Sequence, residues 1–184
     1  GGAGGGGGAA GGLAQGGAVP ARPAGVLVSV NVSANTLSRM SYADTAAQVL
    51  ADHSVDPARL HLELTETALL TLDAQVRTTM QRLRGFGVKW YVDDFGTGYS
   101  SISHLRDLPV DGLKLDMSFT FGLAQGDPTA KRLAVGLVGL ARGMGLDTVA
   151  EGVESADVAQ TLAAMGWINA QGWLYGKAAA LPVA

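Results

Sequence analysis

The sequence predicts an α/β protein built as a TIM-like (β/α) barrel, with about six of eight strand-helix units in the chain. Three observations predict it. From Val26 to Gln171, β-branched runs alternate with amphipathic stretches across short connections, the pattern of a parallel sheet with right-handed crossovers. At 184 residues and 47% hydrophobic content, the chain suits one domain with a single core. Polar residues fall at the C-terminal ends of separate strands: Asn31, Glu63, Asp93, Asp94, Lys114, Glu151 and Gln171. An open doubly wound sheet would bring only two or three of those ends into one crevice, whereas a barrel gathers them all at one mouth.

The elements follow in order. Residues 1–25 are almost wholly Gly and Ala with no acidic residue, too poor in side chains to offset their backbone entropy, so a disordered or unassigned leader is expected there and the domain over residues 26–184. The leader's glycines match dinucleotide-type spacings trivially, without the preceding strand or following helix that would give them meaning. Val26 to Asn31 is a β-branched strand ending at a turn-prone Ser33-Ala34-Asn35, and Ala43 to Asp52 carries Ala46, Val49 and Leu50 on one helical face. Leu60 to Glu66 alternates at period two, a second strand. Asp73 is a helix N-cap, Val76, Met80 and Leu83 follow at helical spacing, and Gly85 stands where a left-handed C-terminal residue is wanted. Val88 to Val92 is a third strand that delivers Asp93 and Asp94, and a brief helix through Ile102 and Leu105 leads to a fourth, Leu113 to Asp116. Asp127-Pro128 opens a helix with Leu133, Leu137, Leu140 and Met144 on one face up to Gly145. Asp147 to Ala150 is a fifth strand, Ser155 caps a helix carrying Val158, Leu162 and Met165 before Gly166, and Trp167 to Ala170 is a sixth strand ending at Gln171.

A net charge of -3 supplies no basic surface for a long nucleic acid, although a small phosphorylated ligand remains compatible. The absence of cysteine excludes disulfides, thiolate metal sites and a cysteine nucleophile. No apolar run reaches the roughly 18 to 20 residues of a transmembrane helix, and no basic-then-apolar signal opens the chain, so no membrane contact and a cytoplasmic location are expected.

Gathered at one mouth, Glu63, Asp93, Asp94 and Glu151 offer anionic oxygens and Asn31 a neutral one, a donor set for hard cations such as Mg2+ or Mn2+. Crowded carboxylates repel, so one or two divalent ions with Lys114 would balance them. Two ions about 4 Å apart suit in-line displacement at phosphorus, and phosphodiester hydrolysis follows. Taken alone, Asp93-Asp94 also reads as a strand followed by an Asp/Gly turn. His53, His61 and His104 show no paired metal spacing and are read as surface or structural. Asp94-Phe95-Gly96 spells the kinase metal tripeptide without a kinase catalytic loop, and Asn31-Val32-Ser33 spells a glycosylation sequon at a strand end; neither is assigned a role.

Six stretches resemble the motifs of the EAL-type cyclic di-GMP phosphodiesterases of bacteria, in that family's order. They are Val30 to Ala34, Glu63-Leu64-Thr65-Glu66, Asp93 to Ser101, Leu113-Lys114-Leu115-Asp116, Glu151-Gly152-Val153-Glu154 and Gln171-Gly172-Trp173. The resemblance implies a TIM-like barrel that uses two Mg2+ or Mn2+ ions to linearise cyclic di-GMP to pGpG. It implies Asn31, Glu63, Asp93 and Asp94 as metal ligands with Asp93 bridging, Lys114 orienting the attacking water, and Glu151 near the second metal or as general base. It also implies that Glu66 holds the loop containing Thr97 and Gly98, that Gln171 lines the substrate site, and that the domain forms a homodimer and is often fused to sensory or cyclase domains. The family's naming Glu-Ala-Leu motif should precede Asn31, where this chain has its acid-free leader. A second reading follows, a domain that binds cyclic di-GMP or a partner protein without turnover. The ending Gly176-Lys177-Ala178 also replaces the family's usual Pro-containing one.

Overall fold

The computed structural model describes residues 11–12, 27–39, 41–70, 72–98 and 105–177. Gly11–Gly12 (β1) and Val28–Asn31 (β2) are the first two strands. The Ser33 hydroxyl accepts from Thr36 N and starts Ala34–Leu37 (α1), and Tyr42–Asp52 (α2) follows. A 3-10 turn at Pro57–Arg59 precedes Leu60–Thr65 (β3), which runs straight into Glu66–Leu69 (α3). Asp73 caps Ala74–Gly85 (α4), and Lys89–Phe95 (β4) comes next. Gly112–Leu115 (β5) passes through the N-cap Asp116 into Met117–Ala124 (α5). Asp127 caps Pro128–Gly143 (α6), Asp147–Ala150 (β6) follows, Ser155 caps Ala156–Met165 (α7), and Asn169–Ala170 (β7) is the last strand.

The strands form one sheet in the order β1-β7-β6-β5-β4-β3-β2. β2 to β7 are parallel and in chain order, curled as a half-barrel, and β1 pairs antiparallel with β7 through Gly11 with Ala170 and Gly12 with Asn169. Pleating divides the side chains between the two faces. Leu62, Leu64, Trp90, Val92 and Leu113 belong to the core packed under α1, α2 and α4, and Leu115 and Ala150 to the core under α5, α6 and α7. Trp90 is fully buried there and donates its indole N–H to Met80 O at 3.1 Å, so the largest core residue keeps its polar atom paired. The alternate positions, His61, Glu63, Tyr91, Lys114 and Asp147, line a cavity of about 310 Å³ on the concave side. Val28 and Val30 on the outermost strand β2 stay 49% and 39% exposed.

Several boundaries differ from the sequence-based expectation. Glu66 is not the last residue of a strand: Thr65 caps α3, and Glu66 is its first residue. The left-handed residue after α4 is Gly87, with φ +106°, because Gly85 and the C-cap Phe86 continue the helical turn. α5 was not anticipated, because Phe119 and Thr120 are buried while Phe121 and Met117 stay partly exposed, which gives the segment no clean apolar stripe. Along α6 the expected Leu137, Leu140 and Met144 pack partly buried against the core, whereas Leu133 is 48% exposed and the buried positions are Ala130, Ala134, Val138 and Ala141. Small residues let that helix sit close to the sheet, and their weak hydropathy hid the centre of the buried face. The last strand is two residues long, and Trp167 precedes it. Within the leader, Gly11–Gly12 pair with β7, and its other residues lie outside the described ones, as do Ile102 and His104.

Candidate active site

β4 carries its two carboxylates through a local irregularity rather than at a finished strand end. Opposite β5 its register runs Tyr91 with Gly112, Val92 with Leu113, and then Phe95 with Leu115, so β4 holds an extra residue between Val92 and Phe95. Asp94 takes up that residue with φ +54°, a left-handed conformation that Asp tolerates better than most residues. The bulge re-aims Asp94. In a regular strand Asp93 and Asp94 would point to opposite faces, yet here oxygens of Asp93, Asp94 and Glu151 all lie within 4.8 Å of one another.

Lys114, next but one to Gly112 on β5, is the hub of the cluster. Its Nζ lies 2.8 Å from Glu63 Oε2, 2.9 Å from Asp93 Oδ1 and 2.5 Å from Glu151 Oε1, with its side chain only 5% exposed. β3, β4 and β5 each contribute one of these four groups, and Glu151 directly follows β6. Burial on its own would pull the Lys114 ammonium down, and the carboxylates of Glu151, Glu63 and Asp93 more than reverse that, so it stays charged throughout the accessible pH range. Glu151 is pushed up to about 7, first by burial and then by Asp93 and Glu63, against the opposing pull of Lys114. Gln171 donates from Nε2 to Glu151 Oε1 at 2.6 Å and fixes that carboxylate. Asp94 is raised as well, by burial first and then by Asp93 and Asp116. Asp116 does double duty, since its carboxylate also caps α5 by accepting from Ser118 N at 2.9 Å.

The loop after β4 is held from below by Glu66. Its Oε2 accepts from Gly96 N at 2.9 Å and from Gly98 N at 3.1 Å, and the carboxylate is buried. Both glycines have a physical reason. Gly96 has φ +101°, and a Cβ on it would lie 2.9 Å from Leu137 Cδ1; a Cβ on Gly98 would lie 3.0 Å from Glu66 Cδ. Thr97 is exposed and donates its hydroxyl to Asp94 O at 2.9 Å, tying the loop back to the bulge.

The structure therefore brings together Glu63, Asp93, Asp94, Lys114, Glu151 and Gln171, with Glu66, Thr97 and Gly98 supporting them from the loop side. Asn31 pairs with Glu63 in the ladder and is exposed on the outermost strand. His61 stacks on Tyr91, and His53 Nδ1 lies 2.9 Å from Val49 O, so neither is placed as a metal ligand. Sequence reasoning missed Asp116, Tyr91 and Asp147. Tyr91 carries a usable signal: it lies two residues before Asp93, on the same face of the same strand.

Parallel strands with helices outside, and an acidic cluster centred on a buried lysine where the strands end, define a TIM-like barrel segment with a candidate metal-dependent active site. The chain belongs to the EAL domain family, whose model matches residues 13–178. That match begins ahead of the Val26 boundary expected from composition. A Pseudomonas aeruginosa relative named as a cyclic di-GMP phosphodiesterase is 39% identical over 150 residues, covering 82% of this chain and 25% of its own. The structure of the PaMucR phosphodiesterase in complex with c-di-GMP superposes with a TM-score of 0.75 at 34% identity, over 83% of this chain and 61% of that one. Klebsiella pneumoniae BlrP1, solved with manganese and cyclic di-GMP, gives a TM-score of 0.73 at 27% identity, over 80% of this chain and 38% of that one. The chain spans between 20% and 25% of the length of the first curated relatives it matches. Among the described residues, no helix is long and apolar enough to cross a membrane.

Proposed function

We propose that this chain is a metal-dependent phosphodiesterase domain that hydrolyses cyclic di-GMP to pGpG. The observation that carries the proposal is the convergence of Asp93, Asp94 and Glu151 oxygens within 4.8 Å beside the Lys114 ammonium. The residues fit a divalent cation. Asp93 Oδ1 is buried and touches Lys114 Nζ without hydrogen-bond alignment, which leaves it free to ligate, and an all-oxygen set suits Mg2+ or Mn2+. Asn31, Glu63, Asp93, Asp94 and Glu151 would hold two such ions. When bound, the ions would supply Lewis acidity at the phosphoryl oxygens and lower the pKa of the attacking water.

The chain's own residues do the rest. Lys114, hydrogen-bonded to Glu63 and Glu151, turns its one remaining N–H toward the attacking water and balances the surrounding negative charge. Glu151, held by Gln171 beside the ions, accepts the proton that the water loses. The water oxygen bonds to phosphorus, the bond from phosphorus to the 3′ oxygen breaks, that oxygen takes a proton from solvent to leave as a hydroxyl, and one ring opening yields linear pGpG. Glu66 keeps the Gly96 to Gly98 loop in place, so the bulge that aims Asp94 holds its shape. The named activity of the Pseudomonas relative, the cyclic di-GMP in the two solved structures and the manganese in the BlrP1 one support this reading. Incubating the chain with cyclic di-GMP and Mn2+ and separating the nucleotides by chromatography tests it: pGpG should accumulate, and its absence above an Asp93→Ala control would overturn the proposal.

A further inference from the structure

Tyr91 lies outside the acidic cluster, yet its side chain crosses the floor beneath it. The pleat puts Lys89, Tyr91 and Asp93 on one side of β4, so Tyr91 sits one layer below Asp93. In the ladder it pairs with Glu63 on β3 and with Gly112 on β5, and Gly112 lies one layer below Lys114. The ring stacks on His61 of β3 with centroids 4.6 Å apart and planes 17° apart. In the other direction it passes over β5, where a Cβ on Gly112 would come within 2.3 Å of Tyr91 Cε1 and 2.7 Å of Cδ1. The hydroxyl then donates to Asp147 Oδ2 of β6 at 3.3 Å. One side chain, 5% exposed, thereby bridges β3 to β6, the strands that carry Glu63, Asp93, Lys114 and Glu151.

We propose that Tyr91 is a positioning residue for the Lys114 cluster. It is a crossbeam that sets the spacing of β3 to β6 and forms part of the wall of the cavity beside Glu63 and Lys114, and Gly112 is the residue whose missing side chain admits it. The ion pairs above depend on that spacing, because a catalytic geometry displaced by about 1 Å costs on the order of 100-fold in rate. The turnover readout of this proposal rests on the phosphodiesterase reading above; its metal-affinity readout does not.

The test compares wild-type protein with Tyr91→Phe, Tyr91→Ala, Gly112→Ala and the Tyr91→Ala/Gly112→Ala double variant. Each is measured by steady-state hydrolysis of cyclic di-GMP, by calorimetric titration of Mn2+ and by thermal melting. Tyr91→Phe keeps the ring and loses one hydrogen bond, and should lower kcat about threefold at unchanged KM. Tyr91→Ala should lower kcat about 100-fold and weaken Mn2+ binding about tenfold. Gly112→Ala should resemble it, while the double variant should be no worse than Tyr91→Ala alone, because the added methyl then enters vacated space. The proposal is overturned if both Tyr91 variants melt lower but keep wild-type kcat and Mn2+ affinity, or if Gly112→Ala costs the same with and without the ring. If Tyr91→Ala fails to fold, Tyr91→Phe decides, and a wild-type kcat there overturns the positioning role. A wild-type protein that binds Mn2+ but leaves cyclic di-GMP intact refutes the phosphodiesterase reading instead, and the Mn2+ affinities of the variants still decide the role of Tyr91.

Discussion

Replacing Lys114 by Met removes the one cation among the described residues that touches Glu63, Asp93 and Glu151, whose side chains are only 5%, 13% and 15% exposed. The Met side chain keeps most of the volume, so the perturbation is electrostatic. Three carboxylates within reach of one another would then face each other without compensation. Removing one partner of a buried ion pair costs about 3 to 5 kcal/mol, mostly as the penalty of stranding the charge left behind. That is a large share of a domain stability of about 5 to 15 kcal/mol. Urea denaturation of the metal-free protein at pH 7.5 measures it. The loss should shrink at pH 5, where Glu151 holds a proton and no longer adds to the repulsion, and also on adding Mn2+, which replaces the missing positive charge. A cost below about 1 kcal/mol at pH 7.5, or an equal cost at both pH values, would refute the account of Lys114 as the charge hub.

Further outcomes follow from the same geometry. Glu151 has a folded pKa of about 7 against an ordinary value of 4.5, so the folded state binds its proton more tightly and metal-free stability should fall as pH rises through that window. At about 1.4 kcal/mol per pKa unit the loss approaches about 3 kcal/mol, and a urea midpoint that stays flat between pH 4.5 and 7 speaks against it. Lys114, raised in the folded state, keeps its contribution across that window and loses it only at far higher pH. Glu66→Ala strands the Gly96 and Gly98 amides, so hydrogen exchange at both should accelerate while the α4 amides keep their protection. Equal exchange at the two glycines in both proteins would remove Glu66 as the loop anchor. Trp90→Ala opens a core cavity on the opposite face of β4 and should cost about 3 to 5 kcal/mol with Mn2+ affinity unchanged; a large loss of affinity would show that the two faces are not independent.

Much of the site was legible because its residues lie at strand ends, where one pleat period separates apolar from polar faces. Glu63 and Lys114 could be placed by alternation alone, since Leu62, Leu64 and Leu113 flank them on the core side. The caps Asp73, Asp127 and Ser155 were legible because each precedes an apolar-periodic run and its side chain accepts from the helix, at Val76 N, Thr129 N and Val158 N. The bulge at Asp93-Asp94 was not legible. Alternation puts adjacent residues on opposite faces, and only the three-dimensional register shows an extra residue turned left-handed to bring both carboxylates inward. The centre of the buried face of α6 escaped for a different reason: Leu137, Leu140 and Met144 were placed, but alanines packed against a sheet carry little hydropathy while the exposed Leu133 carries much. Tyr91 and Gly112 escaped because their relation is one of complementary volumes across two strands, which no single stretch of sequence displays.

The central claim is that the cluster of Asp93, Asp94, Glu151 and Lys114 is a divalent-metal site that opens a cyclic dinucleotide. Following cyclic di-GMP by chromatography over time, with the same protein sample first stripped with EDTA and then given Mn2+, tests it most directly. The account predicts intact substrate in the stripped sample and pGpG as the product once Mn2+ is restored. Hydrolysis that is equally fast with and without EDTA, or substrate that survives saturating Mn2+, would contradict it.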